Sequence, residues 1–258
     1  MKGLTNLMSV LRSYANARLF GESFGEGPVR VVWLHGWARR GGDFAPAAAT
    51  LAARGVASVA LDLPGFGATP VPREPGGARH YAELVLPALE ELASEPLVLV
   101  GHSFGGTVAT VVAATHPELV RALVLVGSPL LRRTSSSPAP FAFRATKWLN
   151  RHGVLSEGRL ERARQKYGSS DYRNAQGVMR AVLVASVNES YENELASLAA
   201  PVELVWGGED QEVSPDVARR ASELIPGEHS LRVLEGVGHL VPTEAPDELM
   251  HAVERALA

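Results

Sequence analysis

The sequence predicts an α/β fold, a mostly parallel central sheet flanked by helices, with a helical segment inserted late in the chain. Three observations predict it. From residue 29 to residue 126 short apolar, β-branched runs alternate with helix-length stretches, the pattern of parallel strands joined by crossover helices. A glycine-flanked serine, Gly101-His102-Ser103-Phe104-Gly105, stands between one such strand and one such helix. Between Gly127 and Pro201 the alternation stops and only helical periodicity is left.

Taken in order, residues 13–27 read as two short edge strands around Gly21 and Gly25. Residues 29–34 are a dense β-branched strand ending at His35-Gly36, and 44–54 are alanine-rich and helical, with Gly55 as the stop. Residues 56–61 form the next strand; 80–94 have helical periodicity, with a kink expected at Pro87. The apolar run 96–100 suits a buried strand, 104–116 a helix closed by Pro117, and 120–126 another strand. Strands covered by helices on both faces are apolar throughout, and active residues then gather at their carboxyl ends. In the interval 130–200, helical stretches fall at 141–151, 156–167 and 175–187, and an unstructured loop of that length is not expected inside a compact domain. Thr134-Ser135-Ser136-Ser137-Pro138 reads as the hinge where this insertion leaves the sheet, or as a plain surface loop. The division is therefore 1–129 and 201–258 for the core and 130–200 for the insertion.

The chemistry centres on Ser103. Between a strand and a helix the chain must turn sharply, and glycine at 101 and 105 removes the Cβ atoms that would obstruct the turn and leaves the hydroxyl proud of the sheet edge. Serine is a poor nucleophile near neutral pH and needs a base, which in turn needs an orienting acid. Both follow downstream, each after a strand. Residues 201–207 run into Gly208-Glu209-Asp210-Gln211-Glu212, and 229–235 run into Gly236-Val237-Gly238-His239. Of the eight histidines, His80, His116, His152 and His251 lie in or beside helical stretches and His229 precedes its strand. His102 adjoins the serine but points elsewhere on a tight turn, and His35 precedes the turn that follows its strand. His239 alone occupies a glycine-punctuated loop after the last strand. For the acid, Asp210 competes with Glu203, Glu209 and Glu212.

These pieces, with Leu34-His35-Gly36-Trp37, Asp62-Leu63-Pro64-Gly65-Phe66-Gly67 and Trp206-Gly207-Gly208-Glu209-Asp210 with Val213, resemble the α/β-hydrolase superfamily over nearly the whole chain, and within it small carboxylesterases. The resemblance implies a Ser103, Asp210, His239 triad, since the family pattern Trp-Gly-x-x-Asp-x-x-Val puts the acid at 210. It implies that the Trp37 and Phe104 amides form an oxyanion hole and that 130–200 is a helical cap over the serine. The activity implied is hydrolysis of a carboxylic ester or related acyl bond through an acyl-enzyme. Carbon–carbon bond hydrolysis, acyl transfer, perhydrolysis or slow-turnover ligand reception are the alternatives on the same scaffold. No cofactor or metal is called for.

Bulk properties set outer bounds. In 258 residues, 46% hydrophobic and 21% charged, there is ample material for a core. A net charge of −3 gives no electrostatic case for nucleic acid, and the absence of cysteine excludes a thiol nucleophile or a disulfide framework. The N-terminus is a poor signal peptide and no run is long enough to span a bilayer, so a soluble, cytoplasmic protein acting on a small molecule is expected. From Leu130 to Arg180 eleven basic residues face three acidic ones, a net of +8, which leaves −11 for the rest. Two readings stay open: a solvated surface balancing an acidic body, or steering of an anionic substrate or acyl carrier.

Overall fold

Eight strands form one sheet in the order β1-β2-β4-β3-β5-β6-β7-β8 in the computed structural model, which describes residues 9–132, 158 and 170–258. β1 (Val10–Tyr14) and β2 (Leu19–Phe24) make an antiparallel hairpin, and β2 also runs antiparallel to β4 (Ala57–Asp62). From there β4, β3 (Val29–Leu34), β5 (Leu97–His102), β6 (Val120–Val126), β7 (Val202–Gly207) and β8 (His229–Leu234) are parallel. The predicted α/β class is the observed one.

Successive strand residues point to opposite faces, so strands covered on both sides must be apolar at every position. Leu97-Val98-Leu99-Val100 of β5 meets that condition, with all four side chains buried. Leu99, Leu123 and Trp206 pack with Tyr81 and Leu89 of α2 (Ala78–Leu92) and Val108 and Val112 of α3 (Phe104–Thr115). On the opposite face Trp33, Val98, Val100 and Val124 meet Leu51 of α1 (Ala45–Ala53) and, near the C-terminus, Leu249 and Val253.

The first hairpin differs from its prediction. Its turn is made by Ala15, Asn16 and Ala17, all left-handed (φ 52°, 57° and 60°), and alanine carries no sequence signal for that conformation. Gly21 instead lies within β2, where a Cβ would come 2.7 Å from the Ala60 carbonyl oxygen. α2 contains Pro87, where a kink was expected, within one helix.

Of the late segment, α4 (Ser170–Asn174), α5 (Gly177–Ser186) and α6 (Glu192–Ala196) are described, and α5 matches the helix expected at 175–187. The helices expected at 141–151 and, apart from helical Gly158, at 156–167 lie outside the described residues, as do the hinge at 134–138 and most of the basic cluster. Among the described residues no strand lies between β6 and β7. The two ends of the segment meet where the Tyr191 N–H donates to the Leu130 carbonyl (3.0 Å). Glu189 anchors the returning chain on α2, its carboxylate accepting from the Ala78 N–H and the Tyr191 hydroxyl, each at 2.8 Å. An acid at a helix N-terminus meets the orphan amides and the positive end of the dipole. The chain then completes the core through α7 (Pro215–Ser222), α8 (Val241–Glu244) and α9 (Pro246–Leu257). No described helix is long and apolar enough to cross a membrane.

At the carboxyl end of β7 the chain passes very close to the loop after β8. A Cβ on Gly207 would lie 1.9 Å from the Gly238 carbonyl oxygen and 2.4 Å from that of Val237. Both obstacles are backbone, so Gly207→Ala is expected to cost about 1–3 kcal/mol. A urea titration checks this: the midpoint falls while the slope stays that of the parent protein.

Candidate active site

Ser103 has φ 51° and ψ −119°, a conformation that L-residues rarely hold, at the junction of β5 and α3. Its N–H donates to the Val126 carbonyl (2.8 Å), and its carbonyl accepts from Gly106 N–H (2.9 Å) and Thr107 N–H (3.3 Å). The flanking glycines act as the sequence suggested. A Cβ at Gly101 would lie 2.4 Å from Gly106 Cα, and one at Gly105 would lie 2.1 Å from the Leu34 carbonyl oxygen. Both contacts are with backbone, so no side chain can be accommodated at either position without moving a strand or α3.

The turn after β3 lies against the serine. A Cβ on Gly36 would come 3.1 Å from Ser103 Cβ and 2.9 Å from His102 Nδ1. Among the described residues neither the Trp37 nor the Phe104 amide N–H has a protein acceptor, and the second stands at the N-terminus of α3, where backbone donors are orphaned. Their side chains form an aromatic wall: the Trp37 ring meets Phe66 at 5.1 Å and Phe104 at 5.9 Å, and Tyr81 meets Phe104 at 4.9 Å, all edge-on. His35 is structural, as its position suggested. Its Nε2 accepts from the Leu63 N–H (2.9 Å), so Nδ1 carries the proton and donates to the Gly36 carbonyl (2.8 Å). Burial is the main cause of its lowered pKa, and the neutral ring ties the His-Gly-Trp turn to the Asp-Leu-Pro-Gly loop.

Asp210 and His239 meet. The His239 Nδ1–H donates to Asp210 Oδ2 at 2.7 Å. Asp210 is 5% exposed, and its Oδ1 accepts from the Glu212 and Val213 N–H groups at 2.9 and 2.8 Å. The Trp206 indole N–H closes the same loop on the Val213 carbonyl (2.8 Å), which accounts for tryptophan and valine in that motif. Two of the competing acids are elsewhere. Glu203 is held by Arg255 and Ser230, and Glu209 is exposed. Glu212 lies 3.5 Å from the other imidazole nitrogen, Nε2. Among the described residues no hydrogen bond joins the Ser103 hydroxyl to His239; such contacts often close only around bound substrate.

Electrostatics separate the two neighbouring imidazoles. His102 is 4% exposed; burial, then the charge of His239, lowers its pKa to about 4, so it is neutral at pH 7. Burial also opposes the charging of His239, but the hydrogen bond and charge of Asp210, with Glu212 and Glu244, outweigh it and raise the pKa above the ordinary value. His80, His116, His229 and His251 make only surface contacts, and His152 lies outside the described residues.

Two contributors escaped the sequence reading. Gly127, left-handed at φ 51°, passes beneath the Asp210–His239 pair, where a Cβ would lie 3.2 Å from His239 Nδ1 and 3.3 Å from Asp210 Oδ2. A glycine directly after the apolar β6 run was the available signal. Glu244, whose carboxylate accepts from Gly238 N–H (2.6 Å) and Leu240 N–H (3.3 Å), had none beyond lying shortly after the histidine. Among the described residues no group of three or more His, Asp or Glu side chains could hold a metal ion.

Comparison with known proteins places the chain in a family. The sequence model of the alpha/beta hydrolase family matches residues 31–252, and the chain belongs to that family. Over 121 residues it is 41% identical to pimeloyl-(acyl-carrier protein) methyl ester esterase of Chromobacterium violaceum, a match covering 46% of this chain and less than half (45%) of that one. Over 209 residues it is 30% identical to the uncharacterized hydrolase YugF of Bacillus subtilis, covering 73% and 76% of the two chains. The solved esterase of Exiguobacterium antarcticum superimposes with a TM-score of 0.73 at 19% identity, covering 97% of this chain and all of that one; this likeness is one of fold.

The raised pKa of His239 has a direct test. Its imidazole should titrate above the ordinary histidine value of about 6.5, and Glu212→Gln should move that titration toward acid by removing one of the charges that favour the imidazolium. Histidine NMR across pH 5–9 reads both. A group with a raised folded pKa stabilises the protein below its unfolded pKa, and that contribution is lost as pH rises through the folded value. Parent and variant should therefore differ most in stability on the acid side. An unchanged His239 titration in the variant would show that Glu212 does not act on it.

Proposed function

We propose that the protein is a serine hydrolase that cleaves a carboxylic ester or related acyl bond through an acyl-enzyme on Ser103. The observation that carries the reading is the left-handed Ser103 at the strand–helix turn, with two acceptor-less amides on one side and the Asp210–His239 pair, joined at 2.7 Å, at the same sheet edge. The relative named as a methyl ester esterase supports an ester as the substrate.

Each residue then has a role. Neutral His239, its Nδ1 proton held by Asp210, presents a lone pair at Nε2. As Ser103 Oγ bonds to the substrate carbonyl carbon, its proton passes to Nε2 and the carbonyl oxygen becomes an oxyanion facing the Trp37 and Phe104 amides. Collapse of this intermediate breaks the bond to the leaving alcohol, which takes the proton from Nε2. Water, deprotonated by the same nitrogen, attacks the acyl-enzyme and releases the acid, and the proton returns to Ser103. Asp210 stays ionised throughout, fixing the tautomer and stabilising the imidazolium. The wall of Trp37, Phe66 and Phe104 supports an apolar acyl group beside the oxyanion site. Residues 130–200 act in this reading as a cap; in support, Met179 packs against the Tyr81 hydroxyl and over Gly65, where a Cβ would meet its sulfur at 2.3 Å.

The test is a panel of p-nitrophenyl esters of increasing acyl length, with a fluorophosphonate probe for the nucleophile. Ser103→Ala should abolish labelling and lower kcat by about 10⁴-fold or more, with little loss of stability. Asp210→Asn should lower kcat by about 10⁴-fold with KM largely retained. Labelling that survives Ser103→Ala would place the nucleophile elsewhere.

A further inference from the structure

We infer that His102 and Glu244 are positioning residues that clamp the main chain on both sides of the His239 imidazole; the inference rests on the triad reading above. In the sheet β5 and β8 are separated by β6 and β7, so no ladder of backbone hydrogen bonds connects the serine turn to the loop that carries His239. A side chain makes that connection. His102, the last residue of β5 and the covalent neighbour of Ser103, donates its Nε2–H to the His239 carbonyl oxygen at 2.9 Å. From the other side Glu244 of α8 accepts the amides of Gly238 (2.6 Å) and Leu240 (3.3 Å). Three successive residues of the loop are thus held at main-chain atoms, two by one carboxylate and the middle one by the imidazole beside the nucleophile.

The chemistry of each contact suits a fixed geometry. A carbonyl can only accept, so the single proton of neutral His102 stays on Nε2 and the tautomer is set. The ring is buried and lies 4.9 Å from the His239 ring, which leaves it little room to turn. A Cβ at Gly238 would come 3.2 Å from the Glu244 carboxylate, so glycine there allows the loop to close on its acid. With the backbone held and Nδ1 held by Asp210, little freedom is left to the His239 imidazole. Loss of either clamp would displace the base while leaving Ser103 and the substrate pocket in place.

The experiment uses the full chain, with kcat normalised to sites titrated by the fluorophosphonate. His102→Leu keeps the bulk and removes the donor; it should lower kcat by about 10–100-fold with KM within about 2-fold. His102→Gln places an amide N–H near the position of Nε2–H and should recover kcat to within about 5-fold of the parent. Glu244 is exposed, so Glu244→Ala tests the second contact even where the leucine variant does not fold; it should lower kcat by about 10-fold, again with KM retained. Equal losses in the leucine and glutamine variants would mean that packing, not the donor, matters, and parental kcat in both His102→Leu and Glu244→Ala would equally overturn the inference. Ser103→Ala, run in parallel, separates the two levels. If it still turns over ester, the triad reading fails; if it is inactive while the clamp variants keep parental kcat, only the clamp fails.

Discussion

The left-handed turn at Ser103 is the constraint on which the site depends. Holding a non-glycine residue at φ 51° and ψ −119° costs on the order of 1–3 kcal/mol, and the turn persists because the elements on both sides of it are fixed. β5 is buried at all six positions and α3 is buried from Phe104 to Ala113, so neither can shift to relieve it. Gly101, Gly105 and Gly106 let the start of α3 approach the strands more closely than any side chain would allow; a Cβ on Gly106 would lie 1.8 Å from Ser128 Oγ. That approach brings the orphan amides of the helix N-terminus, and the positive end of its dipole, beside the hydroxyl. Core packing thus maintains both the strain and the electrostatics.

Around this turn three buried or nearly buried imidazoles take different states from their surroundings. His35 has both nitrogens occupied by backbone and serves as a strut. His102 is held neutral by burial and by its neighbour, which keeps a second positive charge from opposing protonation of His239. His239, at 9% side-chain exposure, is surrounded by Asp210, Glu212 and Glu244 and is the one whose proton affinity rises. Burial lowers the proton affinity of His35 and His102, whereas at His239 the carboxylates of Asp210, Glu212 and Glu244 outweigh it.

The family match and the fold agree on the scaffold, and a scaffold of this kind does not by itself fix what it acts on. The wall of Trp37, Phe66 and Phe104 is built from loops after β3 and β4 and from the start of α3, all anchored in the core. The described part of the late segment lies nearby, with Met179 against the Tyr81 hydroxyl and Gly65, and is tied down through Glu189 and Tyr191. On the proposed reading, the side chains of that segment would help to select the acyl group.

How much was legible in the sequence follows from the range of each interaction. The strands at 29–34 and 120–126 were readable because a strand buried on both faces must be a continuous apolar run, and those runs coincide with β3 and β6. Asp210 stood out within a short motif because its orientation is fixed by amides two and three residues onward and by a ring four residues before it. The turn at Ala15–Ala17 was hidden because alanine does not mark left-handed backbone. The strand order, Gly127 beneath the acid–imidazole pair, Glu212 at Nε2 and the grip of His102 and Glu244 on the His239 loop were decided only by the tertiary structure. Each joins residues that lie on different strands and loops, and the energies that select them are burial and charge at a distance. By itself the sequence determined the residue types and their local turns; which nitrogen faces which acid depended on how four strand ends came together.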